Sequence, residues 1–411
     1  MSALLNQISL PPAEAEFPCS SFQSGLLHHF ERFGTGLNAT FRFKLEGSVD
    51  THIVRRALQS LVDRHEILRT TFHKSEAGFI QRVHGSATLP FSAIDLSEAD
   101  PSSTERLCDA IGGKEVDTPF DLAQAPLARA ALVRTGPSTA LLLLTFHSTV
   151  IDGWSVGLLS REFIANAAEL SAGRPIATAD VQLHYADFTL WQKAGLDGPA
   201  ALREQAYWER QLQGLARFTV PHDRQLRHGT VHRSEIIAVV VDRRISDAIE
   251  AFAARTGKTL FQIATAALAL ALRKLTEADE IVVSTPVALR DEEDAQNVVG
   301  PLLNTLVLRI PTHGTQTVQQ TIDLVADVVA DAVAHKALPL EEVVPPDANN
   351  FFPICPVNFT MLRALGEFAF GKDMSTGHFT ASTLPSQSGG AVWDLNFFMV
   401  DRSDGWRLSL E

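Results

Sequence analysis

Residues 141–155 constrain the fold more than any other stretch of the chain. Leu141, Leu142, Leu143 and Leu144, followed by Thr145 and Phe146, form an apolar run of strand length. His147, Asp152 and Gly153 come next, where the backbone must turn and present side chains, and Gly153 would permit a positive φ there. From residue 154 to 170, Val156, Leu158, Leu159, Phe163 and Ile164 follow helical spacing, and Gly173 and Pro175 end the pattern. The reading is a buried strand, a polar turn and a helix, with a candidate reaction centre at the strand end.

A chain of 411 residues with 45% hydrophobic and 20% charged residues can build two domains or one large composite. Its formal charge of −13 argues against a nucleic-acid surface or adhesion to an anionic membrane. Cys19, Cys108 and Cys355 are far apart and odd in number, which indicates neither a disulfide framework nor a thiolate metal site. The first twenty residues carry no basic and apolar leader, and no apolar run reaches membrane length, so a cytoplasmic protein is expected.

Along the chain, Ala39, Phe41, Phe43 and Leu45 alternate as in a half-buried strand. A helix with Asp50 as its N-cap follows, carrying Ile53, Ala57, Leu58, Leu61 and Val62. Residues 127–135 and 139–147 read as antiparallel strands joined at Gly136-Pro137. A helical pair over 244–275 divides at Gly257 and restarts at Thr259. Further strands are expected near 234–242, 281–286, 303–310, 355–361, 391–400 and 406–410, with a helix over 318–335. Strands and helices are mixed throughout, so the fold class is α/β (α+β), with a first boundary at Gly173-Arg174-Pro175 separating lobes 1–175 and 176–411.

Three motif readings are weak. Gly153-Trp154-Ser155-Val156-Gly157 fits a nucleophile elbow, but Ser155 should already lie within the helix. Gly257-Lys258-Thr259 lacks the earlier glycine of a phosphate loop, since Phe252 stands there. His28-His29 and the group His222, His228 and His232 lack the His/Glu spacing of a zinc helix and read as solvated loop histidines.

Several short stretches, in order, carry a resemblance. Residues 20–26 are similar to a degenerate first motif, and Arg64, His65, Glu66, Leu68, Arg69, Thr70 and Phe72 fill every specified position of R-H-E-x-L-R-T-x-F. Residues 146–155 align with H-H-x-x-x-D-G-W-S, and 185–191 with a fourth motif ending at Trp191. Residues 299–306, 335–341 and Trp393-Asp394-Leu395 are similar to three later ones. Together they resemble the condensation domains of nonribosomal peptide synthetases over nearly the whole chain.

The resemblance implies two chloramphenicol-acetyltransferase-like lobes forming a V-shaped pseudo-dimer with a central tunnel. Donor and acceptor carrier proteins insert phosphopantetheine arms, and an amide, less readily an ester, forms at the central motif. It implies His147, Ser148, Asp152 and Gly153 as the catalytic turn, with Trp154, Ser155, Asn304 and Trp393 along the tunnel. Arg64 and Arg290 are structural, the latter paired to Asp152. No metal or diffusible cofactor is implied. Adenylation domains or a tailoring enzyme are further partners.

The central motif departs from the family: Ser148 stands where the second histidine falls, giving H-S-x-x-x-D-G. A hydroxyl cannot act as a base near pH 7. Residues 349–356 also lack the seventh motif's signature, and Glu411 comes where a terminal helix usually follows. The rival readings are a catalytically impaired scaffold that recruits a carrier protein or tailoring enzyme, and a serine hydrolase through Ser155.

Overall fold

A computed structural model describes the chain except residues 1–14, 35–36, 77, 177–180, 197, 216–218, 222, 224–235, 313–315, 345–354, 363–373, 390–391 and 403–404. His222, His228, His232 and residues 349–354 therefore lie outside the described residues. In the first part of the chain the strands are β1 (Ala15–Pro18), β2 (Asn38–Gly47), β3 (Thr70–Ser75), β4 (Gly78–Val83), β5 (Phe91–Asp95), β6 (Ala128–Gly136) and β7 (Thr139–His147). The helices there are α1 (Ser21–Phe33), α2 (Thr51–Arg64), α3 (Pro101–Asp117), α4 (Gly153–Ser171) and α5 (Tyr185–Gly195). The remainder comprises α6 (Pro199–Leu212), β8 (Ile237–Asp242), α7 (Arg243–Thr256), α8 (Leu260–Thr276), β9 (Glu280–Ala288) and β10 (Leu303–Pro311). It continues with α9 (Val318–Ala334), α10 (Leu340–Val343), β11 (Val357–Leu362), β12 (Met374–Ser375), β13 (Phe379–Ser388), β14 (Leu395–Arg402) and β15 (Gly405–Leu410).

Contacts divide the chain into two compact units that are discontinuous in sequence. The first holds residues 1–194, 290–302 and 365–389; the second holds 195–289, 303–364 and 390–411. A single cut at residue 175 does not reproduce this division. The helix α5 stays with the first unit because Tyr185 bonds to Ser20 and Gln192 accepts from the Ser21 amide. Residues 379–388 join it because β13 pairs antiparallel with β2.

The first unit is built on a six-stranded sheet of order β12-β13-β2-β7-β6-β5, with a smaller sheet β1-β4-β3. β7 lies between β2 and β6, antiparallel to both. This central place explains its leucines, of which Leu142 and Leu143 are inaccessible to solvent. α2 begins as its sequence suggests, since the Asp50 carboxylate accepts from the His52 and Ile53 amides. α2 and α4 pack together, and Glu162 of α4 binds His65 at 2.9 Å and faces Arg64 at 3.6 Å. Burial would raise the Glu162 carboxyl, but the His65 hydrogen bond and the charges of His65, Arg64 and Arg161 bring it below its ordinary value. His65 thus makes the hydrogen bond that ties the end of α2 to α4, and Arg64 adds its charge beside it.

The second unit carries a six-stranded sheet of order β10-β9-β11-β14-β15-β8, mixed because β11 runs parallel to both β9 and β14. α8 and α9 cover buried residues such as Val283, Leu308 and Phe359. Gly257 ends α7 at φ 67°, and Thr259 opens α8 with a reciprocal capping box to Gln262. Cys19, Cys108 and Cys355 are free thiols. Among the described residues no helix is long and apolar enough to cross a membrane.

Candidate functional site

The site begins where β7 ends. The His147 amide donates to the Leu127 carbonyl at 3.0 Å, and the Ser148 amide donates to the Leu37 carbonyl at 2.8 Å. These bonds hold the departing chain against residues beside both neighbouring strands. Successive side chains then diverge, as they must in extended backbone. His147 is 0% exposed, whereas Ser148 is partly open.

His147 turns inward. Its Nδ1 meets the Thr149 hydroxyl at 2.7 Å, while its Nε2 is buried without a hydrogen-bond partner. The rings of Phe30 and Phe120 stand edge-on to it, 5.3 and 6.4 Å between centroids. Burial in this apolar setting pushes the imidazole down to about 3, so it is neutral at physiological pH. His147 is a packing group here, and cannot reach a substrate.

Ser148 faces the other way. Its hydroxyl donates to the Leu37 carbonyl at 2.8 Å, the same oxygen that accepts its amide. A carbonyl only accepts, so the hydroxyl proton is committed and the oxygen lone pairs remain.

Asp152 closes the turn. As N-cap of α4 its Oδ1 accepts from the Ser155 amide at 2.7 Å, and its Oδ2 from Arg290 at 2.9 Å. The side chains of Arg290 and Asp152 are 2% and 0% exposed. A guanidinium enters such a site only with its donors used, and here they reach the carbonyls of Ala295, Val298 and Gly300 at 3.0, 2.7 and 3.0 Å. The ion pair expected from the resemblance is therefore present, and it lashes residues 290–302 to the site turn.

Ser155 completes that lock. Its hydroxyl donates to the Gly300 carbonyl and accepts from the Gly300 amide, each at 3.0 Å, and from Arg290 at 3.1 Å. One donor and two acceptors exhaust a hydroxyl. At 0% exposure on the third residue of α4, Ser155 is neither a nucleophile nor a tunnel residue. Gly153 is the first residue of α4 and is not among the positive-φ glycines, so the left-handed backbone that its position in the turn would permit is absent.

That conformation falls at Gly300, with φ 145°. A Cβ there would lie 2.1 Å from the Tyr185 ring. Tyr185 donates to the Pro301 carbonyl at 3.1 Å, which leaves its oxygen to accept from Ser20 at 2.9 Å. Ser20 caps α1 in a capping box with Gln23, and Gln23 Nε2 donates to the Thr149 carbonyl at 3.0 Å. Ser20, Gln23, Tyr185 and Gly300 all lie in motif stretches, yet sequence alone gives none of them a role. Their convergence needs the fold to be seen; the local signal is a glycine before a proline at 300–301.

Trp154 is half-buried, donates to the Gln296 carbonyl at 2.9 Å, and has the Arg290 guanidinium 5.7 Å from its ring centre. Asn304 belongs to the second unit and is 0% exposed. Its amide donates to the carbonyls of Lys336 and Leu338 and its oxygen accepts from the Thr305 and Leu340 amides. Tying residues 336–340 to β10 leaves Asn304 nothing for a substrate. Trp393, also in the second unit, is half-buried in the bend before β14. Among the described residues no group of three or more His, Cys, Asp or Glu could hold a metal ion.

Fold and site define a mixed α/β protein on two six-stranded sheets, with a polar turn at the end of a central strand stapled by a buried ion pair. Residues 13–411 match the family described as Condensation domain. Tyrocidine synthase 3 of Brevibacillus parabrevis is 30% identical over 404 residues, 97% of this chain and 6% of that protein. Chondramide synthase of Chondromyces crocatus is 29% identical over 337 residues, 82% of this chain and 9% of that one. The chain thus spans a small fraction of these relatives. The X-domain from teicoplanin biosynthesis superposes with a TM-score of 0.83 at 21% identity, covering 98% of this chain and 90% of that one. The first condensation domain of the calcium-dependent antibiotic synthetase gives 0.80 at 20%, covering 97% and 91%, and both share the fold. The chain belongs to the condensation-domain family of nonribosomal peptide synthetases, an acyltransferase-type family.

Proposed function

We propose that this domain condenses an acyl or aminoacyl thioester on one carrier protein with the amine of an aminoacyl thioester on a second, forming an amide. Both substrates would arrive on phosphopantetheine arms, and adenylation domains loading the carriers are the natural neighbours. The observation that carries this reading is the turn 148–153, held rigid by the buried Asp152–Arg290 pair within a chain that matches the family from residue 13 to its end. A turn fixed in this way suits a site that works by placement. Correct juxtaposition of two reactants is worth roughly 7–11 kcal/mol, against ~10²–10⁴ in rate for a general base. Amide formation can therefore proceed with a serine at position 148.

One observation favours a second reading. Within the central motif no group takes a proton near neutral pH, because His147 is sealed and Ser148 is a hydroxyl. On that reading the domain binds a carrier protein or a tailoring enzyme without catalysis. Incubation with loaded donor and acceptor carrier proteins, read by intact-protein mass spectrometry, separates the two. A coupled product supports condensation. No product from any pair, together with tight carrier or partner binding, supports the scaffold.

A further inference from the structure

Glu341, the second residue of α10, is 6% exposed, and its Oε2 has no hydrogen-bond partner among the described residues. An unpaired carboxylate is costly in such a place, and binding a proton relieves the cost. The elements packed on α10 are α6 and β10, and neither brings it a cation. Arg309 of β10 is taken by Glu280 and by the Gln211 and Gln213 carbonyls. On α6, Glu204 binds His335, while Arg203, Glu209 and Arg210 are exposed. Lys336 Nζ lies 3.5 Å from the Ala288 carbonyl. We propose that Glu341 is a proton-operated latch: as the neutral acid it lets α10 dock on α6 and β10, and loss of its proton releases α10. The inference concerns the second unit alone and does not rest on the condensation reading.

The chain just before Glu341 is pinned, because Asn304 holds the Lys336 and Leu338 carbonyls and the Leu340 amide. Movement therefore begins at Glu341 itself. Beyond it the Glu342 amide donates to the Pro339 carbonyl at 3.1 Å and the Val344 amide to the Leu340 carbonyl at 2.9 Å, bonds that lie within the turn and travel with it. Val343 and Val344 form one wall of an open cleft of about 600 Å³, faced by Ala206, Glu209, Arg210 and Leu212 of α6. Release of α10 widens this cleft and bares its apolar walls. Burial, and to a smaller degree the charge of Glu342, push the Glu341 carboxyl up to about 7, against the hydrogen bond from its own amide. A released carboxyl returns toward the ordinary 4.5. The docked state thus holds the proton more tightly: docking is strongest below pH 4.5, weakens as the pH rises, and has lost this contribution above about 7. The proton leaves to water and the charge stays on the carboxylate.

The test is hydrogen exchange at the Glu342 and Val344 amides of the full chain between about pH 5 and pH 8, corrected for the intrinsic pH dependence of exchange. In the wild type the opening constant of α10 rises roughly 10²-fold across this range, while amides of β14, elsewhere in the second unit, do not follow that slope. Glu341→Gln and Glu341→Met, neither of which can ionise, stay within about threefold. Fluorescence of 1-anilinonaphthalene-8-sulfonate, which reports the bared valines, rises with pH in the wild type and not in the variants. A wild-type change under about tenfold overturns the inference. So does a slope shared by β14, which marks global opening, or one retained in either folded variant, which assigns the titration to another group.

Discussion

Removing the Arg290 guanidinium should be the most damaging single change near the site that leaves the core untouched. Arg290→Met keeps the volume of the side chain while deleting its charge. The Asp152 carboxylate, 0% exposed, then loses its counter-charge, and the carbonyls of Ala295, Val298 and Gly300 lose their shared donor. Each orphaned buried acceptor costs about 1–3 kcal/mol, but the Gly300 carbonyl keeps the Ser155 hydroxyl and the Ala295 carbonyl keeps the Val298 amide, so the losses do not simply add. A total of about 3–5 kcal/mol is expected, as for breaking other buried ion pairs from one side. Asp152→Asn should cost about 3 kcal/mol, since its Oδ1 still caps α4 while the cation is left unpaired. The double variant should be less destabilised than the sum of the two by at least ~1.5 kcal/mol, because replacing both partners leaves no buried charge. Urea unfolding followed by circular dichroism measures all three. Additive effects, or single losses below ~1 kcal/mol, would refute the claim that this pair fixes the turn.

Gly300→Ala should destabilise by roughly 3 kcal/mol or more, through a contact with the Tyr185 ring and a backbone angle unsuited to an L side chain, and thermal melting reads it. His147 should make the fold acid-sensitive. Its folded pKa of about 3 lies below the ordinary 6.5, so the unfolded chain binds the proton first. Stability is complete above pH 6.5 and falls by roughly 1.4 kcal/mol per pH unit as pH drops toward 3. A folded His147→Gln variant should show a flatter profile in pH-dependent denaturation. Asn304→Ala should cost roughly 2–4 kcal/mol by freeing two carbonyls and two amides, and hydrogen exchange at the Leu340 amide should become faster. Ser155 should resist a fluorophosphonate probe on the folded protein, because its oxygen is inaccessible and saturated.

Elements with strong local patterns are legible in the sequence. The β6–β7 hairpin, α2 with its Asp50 cap, and the α7–α8 break at Gly257 all stand where alternation, capping and glycine chemistry place them. β13 is not legible, because Pro385 interrupts its pattern. The structure absorbs that proline in a register shift between Leu384 and Gln387. The Asp152–Arg290 pair is reached only through family resemblance, since nothing local marks two residues so distant as partners. Asn304 misleads for a physical reason: a buried amide whose four bonds all go to backbone looks, in sequence, like any polar residue offered to a ligand. The network through Ser20, Tyr185 and Gly300 depends on tertiary proximity alone.

The staple on the site turn also sets an order of events during synthesis. Arg290 lies 138 residues after Asp152, and Gly300 lies 145 residues after Ser155. A ribosome that has released β7 and α4 has made the whole turn and its Leu37, Leu127 and Gln23 partners, but not the Arg290 and Gly300 groups that lock Asp152 and Ser155. At about 5–20 residues per second, the nascent turn waits on the order of ten seconds for its cation. During that interval Asp152 has every reason to stay hydrated, and the turn to stay open. Chaperone binding or proteolysis of this segment on stalled chains should therefore stop abruptly once residues 290–302 clear the exit tunnel, well before translation ends.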